Sequence, residues 1–262
     1  MHDDGREIDP ASDVASLEHA WVGAPRAAGT PVVVFLHEGL GSVAMWKSFP
    51  SEFCAAHGFT GFVFSRRGYG RSPPRPADER WGPDFLEVQA DDVLPRLLAH
   101  HGIERPFLFG HSDGGSIALL HAARHPARGA IVLAPHLFVE ELSIASIREA
   151  RIAYEQGDLR RGLARYHADP DSAFYGWNDV WLSSAFRDWT IGADIASIAC
   201  PVLAMQGTDD VYGTMEQIRA IARALTGKVR LLEIADCGHS PHRDQPALVA
   251  REAARFIRES RS

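Results

Sequence analysis

The sequence predicts an α/β fold: a mostly parallel, doubly wound sheet with a helical lid inserted into it. Three observations predict this. Short continuous apolar runs bounded by Gly, Pro or His recur along the chain, as strands covered on both faces require. Amphipathic stretches separate these runs, so strand and helix alternate. One interval, residues 137–196, carries no strand-like run and is too long for a plain loop.

The strand-like runs are residues 31–36, 61–64, 106–109, 130–133, 201–205 and 229–234. The helical stretches are residues 44–57, 85–100, 116–125, 215–225 and 246–259. The alternating core therefore takes residues 13–136 and 197–262, with residues 137–196 as the helical lid. Within the lid, residues 140–156 and 158–167 have helical patterns. An aromatic-rich segment follows, with Phe174, Tyr175, Trp177 and Trp181, then Phe186 and Trp189. The first dozen residues are polar and are expected to fray.

The 262 residues suffice for one sizeable core plus an insert. With a formal net charge of −7 and no basic stripe, a nucleic-acid partner is not expected. Arg251, Arg255, Arg258 and Arg261 are interleaved with Glu252 and Glu259, which reads as a solvated helix face. Cys54, Cys200 and Cys237 are odd in number and lack Cys-x-x-Cys spacing, so they make neither a disulfide framework nor a metal set. A reducing, cytoplasmic setting fits them best. The polar N-terminus lacks an apolar h-region, so no signal peptide is expected. The apolar runs are too short to span a bilayer, and no membrane partner is expected.

Chemistry concentrates at Gly110-His111-Ser112-Asp113-Gly114-Gly115, between the run ending at Phe109 and the helical stretch from Ser116. A Gly-x-Ser-x-Gly turn between strand and helix presents the serine as a nucleophile, with glycines where side chains would collide. The helix start directs free N–H groups at the site, and the Asp113 amide would donate to a developing oxyanion. A serine nucleophile needs a base, and the base needs an orienting acid, in the chain order Ser, Asp/Glu, His. Asp209 and Asp210 follow the run at 201–205, and His239 and His242 follow the run at 229–234. Both turns stand at C-terminal strand edges, where α/β proteins bind ligands. The Gly238-His239 step favours His239 as base and leaves His242 as a cap or packing residue.

These motifs resemble the α/β-hydrolase superfamily, specifically its serine-nucleophile, esterase- and peptidase-like branch. The resemblance spans residues 31–257. It implies Asp210 as the acid, three residues after the glycine of Gly207-Thr208-Asp209-Asp210. His37-Glu38-Gly39-Leu40-Gly41-Ser42 resembles the superfamily's His-Gly-Gly-x-Gly oxyanion loop, which implies Gly39 as the second oxyanion donor and Leu40 as the alternate. Glu38 departs from that pattern. Its expected partner is Arg66 or Arg67, the alternative being a polar or basic part of the substrate. Ser65-Arg66-Arg67-Gly68-Tyr69-Gly70-Arg71-Ser72 resembles the superfamily's Asp-x-Arg-Gly-x-Gly-x-Ser stretch with Ser65 in place of Asp, and implies a structural Arg67.

The expected reaction is acyl transfer to water from a carboxylic ester, thioester or lactone. Trp177, Trp181 and Phe138 suggest a pocket for an apolar acyl or aryl part, with His136 beside it at the sheet edge. C–C bond hydrolysis, a lyase step, or a non-catalytic binding protein on the same scaffold are the alternatives. No metal, nucleotide or flavin cofactor is implied, since the Gly-rich stretches lack Walker or dinucleotide spacing. The oligomeric state is not encoded in these patterns.

Overall fold

The computed structural model describes residues 14–27, 30–76 and 78–260. The expected frayed residues 1–12 and Arg261 lie outside them. The chain runs through β1 (His19–Gly23), β2 (Val32–Leu36), α1 (Phe49–His57) and β3 (Thr60–Phe64). Then come α2 (Phe85–Val88), α3 (Leu94–His100), β4 (Phe107–His111), α4 (Asp113–Arg124) and β5 (Gly129–Leu133). Three helices follow before the next strand: α5 (Glu141–Gln156), α6 (Leu159–Leu163) and α7 (Pro170–Trp181). The chain closes with β6 (Val202–Gly207), α8 (Glu216–Ala224), β7 (Val229–Ile234), α9 (Pro241–Asp244) and α10 (Pro246–Glu259).

The seven strands form one sheet in the order β1-β3-β2-β4-β5-β6-β7. Every pairing is parallel except β1 with β3. β2 to β5 are buried at every residue, which is why they read as unbroken apolar runs. Successive residues feed two apolar layers. Val34, Leu108 and Val132 face one, while Val33, Phe107 and Ile131 face the other. The chain leaves β2 toward β3 on one side and returns as β4 on the other. The crevice at the C-terminal ends of β2 and β4 is therefore the topological switch point.

Four elements differ from the sequence expectation. β1 is an additional antiparallel edge strand; its residues alternate between exposed and half-buried, so no apolar run marks it. The aromatic-rich segment is a helix, α7, begun by Pro170 and capped by Asp169, whose carboxylate accepts from the amides of Asp171 and Ser172. The stretch at 158–167 is helical only over Leu159–Leu163. The stretch at 44–57 divides into a 3-10 turn, Ala44–Trp46, and α1. Arg251, Arg255 and Arg258 are exposed, and the first two pair with Glu252. No helix among the described residues is long and apolar enough to cross a membrane.

Candidate active site

Ser112 follows β4 with φ 52° and ψ −121°, a strained conformation at the start of α4. The turn is so tight that a Cβ on Gly110 would lie 2.1 Å from the Gly114 carbonyl oxygen. A Cβ on Gly114 would lie 2.1 Å from the Leu36 carbonyl oxygen. Both glycines are therefore required for α4 to start against β2 and β4. The Ser112 amide donates to Leu133 O at 2.9 Å, which fixes the turn to β5. The Asp113 amide stands in the first turn of α4, where no intrahelical acceptor exists for it.

The loops after β6 and β7 bring Asp210 and His239 to this turn. His239 Nε2 lies 2.9 Å from Ser112 Oγ. His239 Nδ1 lies 2.9 Å from both carboxylate oxygens of Asp210. Asp210 also accepts from the Tyr212 amide at 2.8 Å and from Gln206 Nε2 at 3.2 Å. Burial alone would raise the Asp210 pKa; the hydrogen bond and charge of His239 outweigh it and hold the acid below its usual range. Asp209 is exposed and takes only a bond from the Thr208 hydroxyl. His242 is buried against Trp46 and Phe49, a packing histidine as expected.

The loop after β2 lies alongside. Among the described residues no hydrogen bond takes the amides of Gly39 or Leu40. The loop is held from three sides. Arg66, buried, donates to His37 O at 2.7 Å and to Glu38 O at 3.1 Å. His37 donates from Nδ1 to Glu38 O and accepts the Arg66 amide at Nε2, so it is neutral. His167, from the insertion, accepts the Gly70 amide and donates to Leu40 O at 2.9 Å.

The expected pairing of the Glu38 carboxylate with Arg66 or Arg67 does not form. Arg66 is spent on main-chain carbonyls, and Arg67 pairs with Glu79 at the surface. The carboxylate turns instead toward His111 Nδ1, at 3.6 Å, and Arg243, at 3.7 Å. Ser65 is also explained. Its hydroxyl accepts the Val43 amide and donates to Glu18, a carboxylate from the N-terminal segment.

Two tryptophans of the insertion lie near the site. Trp177 lies on the oxyanion-type loop, its Nε1 2.3 Å from where a Gly39 Cβ would be. Trp181 packs its ring 4.9 Å from that of His136, and His136 lies 5.8 Å from His239. Burial pushes the His136 pKa down to about 3, so the ring is neutral. Phe138 instead bridges to Thr190 and accepts at its carbonyl from Gln217. It ties the insertion to α8. Sequence reasoning assigned the Asp113 amide but overlooked its side chain, which is buried with no hydrogen-bond partner on either oxygen. It also overlooked His111, Arg243 and His167, whose partners come from distant loops.

Among the described residues no cluster of His, Cys, Asp and Glu has the arrangement of a metal site. A surface cleft of 840 Å³ is lined by Arg105, Arg128, Val202 and Val229, at the N-terminal strand edge away from Ser112.

The Alpha/beta hydrolase family model matches residues 33–252. A RutD protein of Caulobacter sp. (strain K31), named for carbamate hydrolysis, is 27% identical over 249 residues, covering 86% of this chain and 89% of its own. The serine hydrolase BPHL of Mus musculus is 27% identical over 168 residues, covering 58% of this chain and 54% of its own, so the match spans about half of that protein. The enol-lactonase of Burkholderia xenovorans LB400 superposes with a TM-score of 0.70 at 21% identity, over 92% of this chain and 96% of that one.

Proposed function

Because the chain belongs to the Alpha/beta hydrolase family, we propose that it is a serine hydrolase cleaving carboxylic esters, thioesters or lactones through an acyl-enzyme. One observation carries this reading: the unbroken line from Asp210 through His239 to Ser112, with 2.9 Å at each side of the imidazole. In this reading Ser112 attacks the carbonyl. His239 takes its proton and returns it to the leaving group. Asp210 fixes the tautomer that leaves Nε2 free to accept, and stabilises the imidazolium. The amides of Gly39 and Asp113, or Leu40 in place of Gly39, hold the oxyanion.

The helices α5 to α7, within residues 137–196, act as a lid on the core formed by the rest of the chain. Trp177 and Trp181 support an apolar acyl or aryl subsite, since their rings lie over the oxyanion-type loop and beside His136. The carbamate and lactone in the relatives' names both hold a carbonyl bonded to a heteroatom leaving group, which suits the same attack. The substrate is a small molecule met in the cytoplasm, with neither nucleic acid nor membrane as partner.

Labelling with a fluorophosphonate tests the nucleophile. Wild type should label and Ser112→Ala should not, and an ester, thioester and lactone panel should then show turnover by wild type only. No labelling of wild type, or equal labelling of Ser112→Ala, sinks the assignment. Labelling without turnover on any of the panel removes the ester class and leaves the nucleophile.

A further inference from the structure

We infer that Glu38 and His111 form a positioning pair for His239, in which Glu38 holds the His111 ring in place and that ring donates to the main chain carrying the base. This rests on the proposed role of His239. The first observation is the direction of one hydrogen bond. His111 Nε2 lies 2.7 Å from the carbonyl oxygen of His239, which can only accept, so Nε2 carries a proton. The second is what the other ring nitrogen meets. His111 Nδ1 is buried, has no hydrogen bond, and faces Glu38 Oε2 at 3.6 Å.

Burial opposes ionisation of Glu38, yet His111 and Arg243 outweigh it and hold the acid far below its usual range. His242 packs 4.9 Å from His111, and burial pushes its pKa down to about 2, so that ring is neutral. The other charged or titratable groups facing His111 are Asp113, His136 and His239 itself.

Both Glu38 oxygens face neighbouring side chains. Oε2 faces His111 and Oε1 faces Arg243. Arg243, four residues beyond His239, also donates to Met45 O at 2.9 Å. The loop after β7 is thus tied to the loop after β2 through Glu38 and beside it. Gly41 makes the fold-back of Glu38 feasible, because a Cβ there would lie 2.3 Å from Oε2. A base held by one serine contact and one acid contact still has a mobile main chain; the His111 bond removes that freedom.

The test is the rate of fluorophosphonate labelling. Glu38→Gln should label about tenfold slower, and His111→Phe about 100-fold slower, the scale of a misplaced catalytic group. His111→Gln, whose amide nitrogen can occupy the Nε2 position, should recover to within about tenfold of wild type. Glu38→Gln and His111→Phe labelling at the wild-type rate overturn the pair. A wild type that never labels overturns the role of Ser112 instead, and with it the role of His239 on which this rests.

Discussion

The Asp113 side chain shows how a single residue can serve and burden a site together. Its amide must stand at the start of α4, so its carboxyl is carried inside, where it is 1% exposed. Burial pushes its pKa from 3.8 up to about 6, although Arg66 and the Trp181 indole oppose the rise. A raised acid is protonated in the folded chain where the unfolded chain has already lost its proton. It therefore costs stability as pH rises from about 4 through 6, and the full cost stands above pH 6. At about 1.4 kcal/mol per pKa unit the cost is about 3 kcal/mol. Asp113→Asn should raise stability at pH 8 by about 1–3 kcal/mol and by nearly nothing at pH 4, read from urea midpoints. An equal gain at both values would show that ionisation is not the cause. The sequence disclosed where Asp113 stands but not what surrounds it, because Arg66 and Trp181 arrive from other loops. Glu38 was misread for the same reason: Arg66 is spent on carbonyls, Arg67 pairs with Glu79, and the actual partners come from β4 and α9.

Elements with a strong period-two or continuous apolar signature were legible, and those whose identity depends on a neighbour were not. Five of the six strands read, β2 to β6, were visible because both of their faces are covered and they are mostly apolar. β1 was hidden because an edge strand covers only part of itself. α7 was hidden because it is aromatic on the sides that pack and has little polar stripe. Trp177, Trp181, Phe174 and Val180 are all buried. That packing makes α7 the element holding the insertion to the core. Trp181 is 1% exposed and meets Phe186 at 4.9 Å and His136 at 4.9 Å. Trp181→Ala should therefore cost about 3–5 kcal/mol, the range for emptying a large aromatic from a core. Trp181→Phe should cost clearly less. The check is equilibrium unfolding in urea. A loss below about 1 kcal/mol for Trp181→Ala would mean that α7 is anchored elsewhere.

The molecule as a whole buries several imidazoles, and this governs its response to acid. His136 is pushed down to about 3, His242 to about 2 and His121 to about 4, in each case first by burial. His37 is lowered well below 6.5, again first by burial, with Arg66 adding to it. The unfolded chain protonates all four near 6.5. Their contribution is therefore fully present above that value and is lost as pH falls toward the folded values. Asp113 has the opposite sign between about 4 and 6, and offsets about one proton. Near pH 5, unfolding should therefore take up protons, and stability should fall as pH falls. Stability should be flat from pH 8 to 7 and fall steeply below 6.5, before most carboxylates titrate. Glu38 and Asp210, both held low, would add their loss only below about pH 4. Urea midpoints across this range measure the slope. A protein equally stable at pH 5 and pH 7.5 would mean that these histidines gain water or a partner, and that the site opens more readily than its close packing implies.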